Sequence, residues 1–186
     1  MSHGPVAQQH VPCHLEPMPT RSKRLVYESG HKRKYLVVVD ESPEVETALY
    51  FAASRISHST GSIALLYVIE PQDYQHWVGV RQVQLEEETN KAKALFRLMR
   101  RKLTLAGFDD LVSDEVIIEG KISEEIVKMI EKDQDIGILV LGAAADSKGP
   151  GPLVSSLATG KTAGTFPIPI TIVPGDLTLD EVKALA

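Results

Sequence analysis

Three short apolar runs constrain the fold most: YLVVV at 35–39, SIALLYVI at 62–69 and GILVL at 137–141. None alternates apolar with polar residues, so each reads as a strand buried on both faces. The segments between them carry helical signals. Ser42 offers an N-cap, Pro43 suits a first helical position, and Glu44 places an acid in the first turn. A helix over 43–57 then buries Val45, Leu49, Ala52, Ala53 and Ile56, and Gly61 breaks the chain. A loop at 71–79 carries His76 and Trp77. A long helix follows over 80–106, with Leu85, Ala92, Leu95, Leu98 and Met99 on its inner face and Gly107 at its end. Glu86, Glu87 and Glu88 load its first half. Arg97, Arg100, Arg101 and Lys102 load its second half, as the helix macrodipole favours, and read as a solvated last turn.

The remaining chain repeats the alternation. SDEVIIE at 113–119 is a third strand, and a helix over 124–132 turns Ile126, Met129 and Ile130 inward. The fourth strand, 137–141, leads through a loop at 143–152 to a short helix at 155–165. IPITIV at 168–173 is a fifth strand, and Pro169 inside it marks a sheet edge or a strand start. Residues 177–186 read as a frayed helix. Strands alternating with helices predict an α/β fold, a parallel sheet with helices on both faces and right-handed crossovers.

Charge divides the chain. The 186 residues carry a net −5, but residues 1–34 hold six basic and two acidic side chains and four of the six histidines, leaving −9 for the rest. Residues 1–33 read as a disordered basic extension, 34–175 as the folded domain and 176–186 as a tail able to form a short helix. His10, Cys13 and His14 lack a fourth ligand at zinc-site spacing, so no metal site is expected. The lone cysteine makes no intramolecular disulfide. No apolar run of membrane length occurs and the first residues form no secretory h-region, which predicts a cytoplasmic protein without a membrane partner. The net acidity argues against a specific nucleic-acid partner.

Ligands of such sheets bind beyond the carboxyl ends of the strands, where strand order reverses. Asp40 ends the first strand, where it can accept hydrogen bonds from a base amino group or a ribose hydroxyl, or simply cap a helix. Gly142 ends the fourth strand, and Gly149 and Gly151 lead from it to Ser155 and Ser156 at a helix start. Glycines, free N–H groups and hydroxyls in that order suit a phosphate, and equally a flexible loop with a capped helix. Ser155 to Thr162 (SSLATGKT) imitates a Walker A loop, but its lysine falls two turns into the predicted helix rather than directly after a strand. No GxSxG, HExxH or GxGxxG stands where catalysis or a dinucleotide requires it. The sequence after the first strand, Asp40-Glu41-Ser42-Pro43, also lacks the SGGxDS-type loop of an ATP pyrophosphatase. No catalytic residue is expected.

Four segments carry a family resemblance: YLVVVDESPEVETAL, IALLYVIEP, VIIEGKISEEIVKMI with GILVLGA, and SSLATGKTAGTFPIPITIV. In this order and spacing, from Lys34 to Pro174, the chain resembles the universal stress protein (UspA) family, of the adenine nucleotide alpha hydrolase-like type. The resemblance implies a five-stranded parallel sheet of order 3-2-1-4-5 and a homodimer joined through the last strand, 168–173. It implies a stress-response role without catalysis, slow incidental ATP hydrolysis aside, and an unidentified protein partner. Some members bind ATP with Mg²⁺ and others do not. Those that do resemble Gly-x2-Gly-x9-Gly-Ser/Thr, where this chain reads Gly142-x2-Ala145-x9-Ser155-Ser156. By the same resemblance, Asp40 and the backbone of Val39 and Val68 face base and ribose, while Gly142, Ala145, Ser155, Ser156 and Leu157 face phosphates. Ala145 and Ser155 in place of glycines add Cβ atoms at a close approach. Where φ is positive, such a replacement costs about 1 kcal/mol. The alternative is a member that binds no nucleotide and acts by recruiting a partner.

Overall fold

The computed structural model describes residues 22–71, 78–146, 149–158 and 163–186. Strands β1 (Arg33–Val38), β2 (Gly61–Ile69), β3 (Val112–Glu119), β4 (Ile136–Ala143) and β5 (Ile170–Pro174) form one sheet in the order β3-β2-β1-β4-β5. Every neighbouring pair is parallel. The helices are α1 (Glu44–Ser57), α2 (Val78–Leu105), α3 (Ile122–Lys132), α4 (Pro152–Ala158) and α5 (Leu179–Leu185). No described helix is long and apolar enough to cross a membrane.

The apolar run of β1 sorts its side chains by the strand's two-residue period. Tyr35, Val37 and Val39 join α1 and α2 in one core layer. Leu36 and Val38 join Ile126, Met129 and Ile130 of α3 and Val154 and Leu157 of α4 in the other. The five apolar residues predicted to be inward on α1 are all buried. On α2 the inner face differs from expectation. Ala92, Phe96, Met99 and Leu103 are buried, whereas Leu85 and Leu98 are exposed. The helix is rotated so that its aromatic residue, the largest apolar side chain available, reaches the sheet.

Several boundaries also differ. Helix α1 has no side-chain cap from Ser42; instead the Ser42 N–H donates to Asp40 Oδ1 at 2.8 Å. Strand β4 runs on to Ala143, so Gly142 lies inside it. Helix α4 begins at Pro152 and a 3₁₀ turn occupies Ala163–Thr165, where one helix over 155–165 was expected. Pro169 precedes β5 and its carbonyl accepts from Leu139 N–H at 3.0 Å. The C-terminal segment is a docked helix rather than a frayed one. A Thr178–Glu181 capping box starts α5 and Val182 is fully buried.

Part of the extension expected to be disordered is bonded to the body. Leu25 N–H donates to Gln134 O at 3.1 Å, and the Arg24 guanidinium bonds the Ile130 and Asp133 carbonyls at the end of α3. Residues 22–32 are thus tied to the body by contacts distant in sequence. His10, Cys13 and His14 lie outside the described residues, as do His76, Trp77 and the Gly160-Lys161-Thr162 of the Walker-like stretch. Among the described residues no group of side chains could hold a metal ion.

Lys34 stands on β1 between Asp133 at 2.8 Å and Asp114 at 3.0 Å. Partial burial opposes its charge, but the two carboxylates prevail and its pKa is raised. Burial likewise opposes the Asp114 charge, while Ser113 and Lys34 prevail and lower its pKa. The lysine's share of stability is therefore complete below its unfolded pKa and lost as pH rises through the raised folded value. The share of Asp114 is present above its unfolded pKa and lost as pH falls through the lowered one. Lys34→Met should cost about 1 kcal/mol near neutral pH. Urea melts across pH should show that difference shrinking as Asp114 becomes protonated; an undiminished difference at acid pH would refute the pairing.

Candidate functional site

The chain runs from β1 outward to β2 and β3, then returns to the other side of β1 as β4. Strand order therefore reverses between β1 and β4, and a parallel sheet opens a crevice at the carboxyl end of that pair. The larger cavity at that end of the sheet, about 490 Å³, lies beside the switch point, at the carboxyl ends of β1 and β2 and against the starts of α3 and α4. Val39 and Asp40 after β1, Val68 on β2, and Leu153 and Ser156 on α4 contribute to its walls. Tyr67, Glu70 and Ile122 also line it, and were not anticipated. Glu70 was findable by the rule that drew attention to Asp40, since it follows the end of β2. Its carboxylate accepts from Ile122 N–H at 3.2 Å, at the start of α3.

The predicted base and ribose side is brought together. Asp40 is exposed, with one oxygen engaged by Ser42 N–H. The Val39 side chain is buried in the core, and its N–H donates to Leu66 O at 2.8 Å. Tyr67 closes the floor towards α2, donating to Glu88 at 2.9 Å. Burial, then the Glu88 hydrogen bond, pushes its phenol up to about 12. It remains a neutral donor throughout the physiological range. Across the rim, Lys91 pairs with Glu41 at 2.7 Å.

The predicted phosphate side is arranged differently. A smaller cavity of about 200 Å³ lies between Gly142, Gly151 and the start of α1. Ser155 N–H already donates to Gly151 O at 3.0 Å, because α4 starts three residues earlier than expected. Ser156 Oγ donates to Leu153 O at 3.1 Å. The Leu157 side chain is 2% exposed and anchors α4 in the core, so it presents nothing to a ligand. Ala145 is exposed and does not line either cavity. In the loop between β4 and α4, Gly149 and Gly151 have positive φ, at 111° and 95°. Lys148 lies outside the described residues.

Gly142 has a reason of its own. A Cβ there would run into the Glu44 carbonyl and stand 2.8 Å from Glu44 Cβ. The first turn of α1 sits directly on the end of β4, and only glycine leaves room. This close packing also brings the Glu44 side chain into the wall of the smaller cavity.

The universal stress protein family model matches residues 32–174. The chain belongs to the universal stress protein family. Its fold is that of UspA from Lactobacillus plantarum, at 20% identity and a TM-score of 0.60, covering 76% of this chain and 97% of that one. A universal stress protein from Archaeoglobus fulgidus is similar at 15% identity and a TM-score of 0.55, covering 80% and 98%. A universal stress protein described in complex with cAMP is similar at 17% identity and a TM-score of 0.53, covering 76% and 95%. No curated protein matches the chain. Two expectations drawn from the resemblance hold: the family and the 3-2-1-4-5 sheet.

Gly142→Ala should destabilise the fold by about 1–3 kcal/mol, the usual cost of forcing a methyl into a packed contact. Chemical denaturation measures it. A neutral substitution would show that α1 does not rest on Gly142.

Proposed function

We propose that this universal stress protein is a cytoplasmic, non-catalytic regulator. It holds the base and sugar of an adenine nucleotide, ATP with Mg²⁺ or a relative of it, in the cleft beyond β1 and β2. The observation that carries the reading is the cleft itself. It lies at the carboxyl end of a parallel sheet, beside the switch point, and its volume of about 490 Å³ falls within the usual range for small-molecule sites. Asp40 and Glu70 offer carboxylate acceptors to sugar hydroxyls, while Val68 and Ile122 offer apolar walls to a flat base. The cAMP complex of a structurally similar family member supports the ligand class. Ligand occupancy would act by changing which partner the protein recruits.

A second reading has its own observation. The Ser155 N–H bond to Gly151 O occupies a donor that a phosphate would need. On that reading the cleft is structural and partner recruitment needs no nucleotide.

Isothermal titration separates the two. With ATP and Mg²⁺, AMP, cAMP and adenosine as ligands, at least one should bind with a Kd below about 1 mM. Asp40→Ala should weaken it about tenfold, the worth of a hydrogen bond to a charged group. Thermal melting of the variant reports whether the lost Ser42 contact has loosened the fold. No heat from any of the four ligands at millimolar concentration would leave the second reading.

The homodimer is proposed through β5. Its outer edge has no strand neighbour in the described chain, and Ile172 is 42% exposed on it. An uncovered edge strand is a template for pairing. Size-exclusion chromatography with light scattering should give a dimer of the full chain and a monomer of Ile172→Glu; a wild-type monomer at micromolar concentration would refute it.

A further inference from the structure

We infer that the cleft selects an uncharged nucleoside over a polyphosphate nucleotide, an inference that rests on the cleft reading above. The argument is one of charge and of occupied donors. Asp40, Glu41 and Glu70 line the larger cleft, and Asp40 and Glu44 line the smaller cavity next to it. A triphosphate lying along this path would pass four carboxylates.

Among the described residues, each nearby cation already faces a carboxylate. Lys121 is the one cation among the described lining residues of the larger cleft, and its ammonium stands 3.2 Å from Glu124. The smaller cavity has none among its described lining residues. Arg81 and Lys91 lie in the neighbouring groove at the end of β2. Arg81 pairs with Glu119 at 2.7 Å and Lys91 with Glu41 at 2.7 Å. Anion binding at a helix start needs open N–H groups. Here Pro152 has none and Ser155 bonds Gly151, which reduces the donors of the first turn of α4 to the N–H groups of Leu153 and Val154.

The same groups suit a nucleoside. Ribose hydroxyls are donors, and Asp40 and Glu70 are acceptors at the ends of adjacent strands. The base adds apolar surface for Val68 and Ile122 and carries no charge to oppose the carboxylates. The Glu44 backbone is held against Gly142, so its side chain starts from the wall of the phosphate end.

Titration of the full-length protein with adenosine and with ATP, each in EDTA and again in Mg²⁺, tests the inference. Adenosine should be the tighter ligand in both buffers, by about tenfold in EDTA. The double variant Glu41→Gln, Glu44→Gln keeps side-chain size, removes two carboxylates and releases Lys91. It should tighten ATP several-fold and leave adenosine within about twofold. ATP binding as tightly as adenosine or more tightly, in either buffer, overturns the inference and leaves the cleft reading standing. An unchanged ratio in the double variant overturns the electrostatic cause. Failure of both ligands to bind removes the cleft reading, and the inference with it.

Discussion

Strand β1 lies in the middle of the sheet with Leu36 and Val37 both fully buried, one against α3 and α4, the other against α1 and α2. Each such side chain contributes on the order of 2 kcal/mol when removed from water. Both helical layers are therefore held to one strand. Strands added on its two sides, β2 with β3 and β4 with β5, must leave a crevice at its carboxyl end. The site is a consequence of the same burial that makes the core.

The crevice is asymmetric for a packing reason. On the β2 side the strand ends, α3 and α4 enclose an open cleft with acceptors at Asp40 and Glu70. On the β4 side the first turn of α1 packs onto Gly142, and Glu44 lines the remaining cavity of about 200 Å³. A glycine that reads from sequence as room for a phosphate is room for a helix. The base end of the site is open and the phosphate end is occupied by the protein's own groups. Family membership supplies the frame on which this asymmetry is built, while the ligand follows from the local chemistry.

The strands were legible because a run such as YLVVV permits few alternatives: its residues suit a pleated surface and it has no polar face. The inner faces of α1 and α3 were legible from helical periodicity. Helix α2 was not, because its apolar residues satisfy two overlapping stripes, and contact with the sheet chooses Phe96 and Leu103 over Leu85 and Leu98. Asp40 was placed by topology and Val68 by the family resemblance, and both lie at the cleft. Ala145 and Leu157 were placed by motif spacing alone, which says nothing of which way a side chain points; the structure puts one in solvent and the other in the core. Residues 22–32 were read as disordered because their order comes from Arg24 and Leu25 bonding to α3 and the turn before β4, contacts that leave no local pattern.

The central claim is that ligand enters at the base end and leaves the phosphate end untouched. Amide chemical-shift mapping of ¹⁵N-labelled protein during an adenosine titration tests it most directly. The account predicts saturable shifts at Asp40, Val68, Glu70 and Ile122, with Gly142, Gly151 and Ser155 unmoved. Shifts centred on Gly142 to Ser155, with Asp40 and Val68 silent, would contradict it.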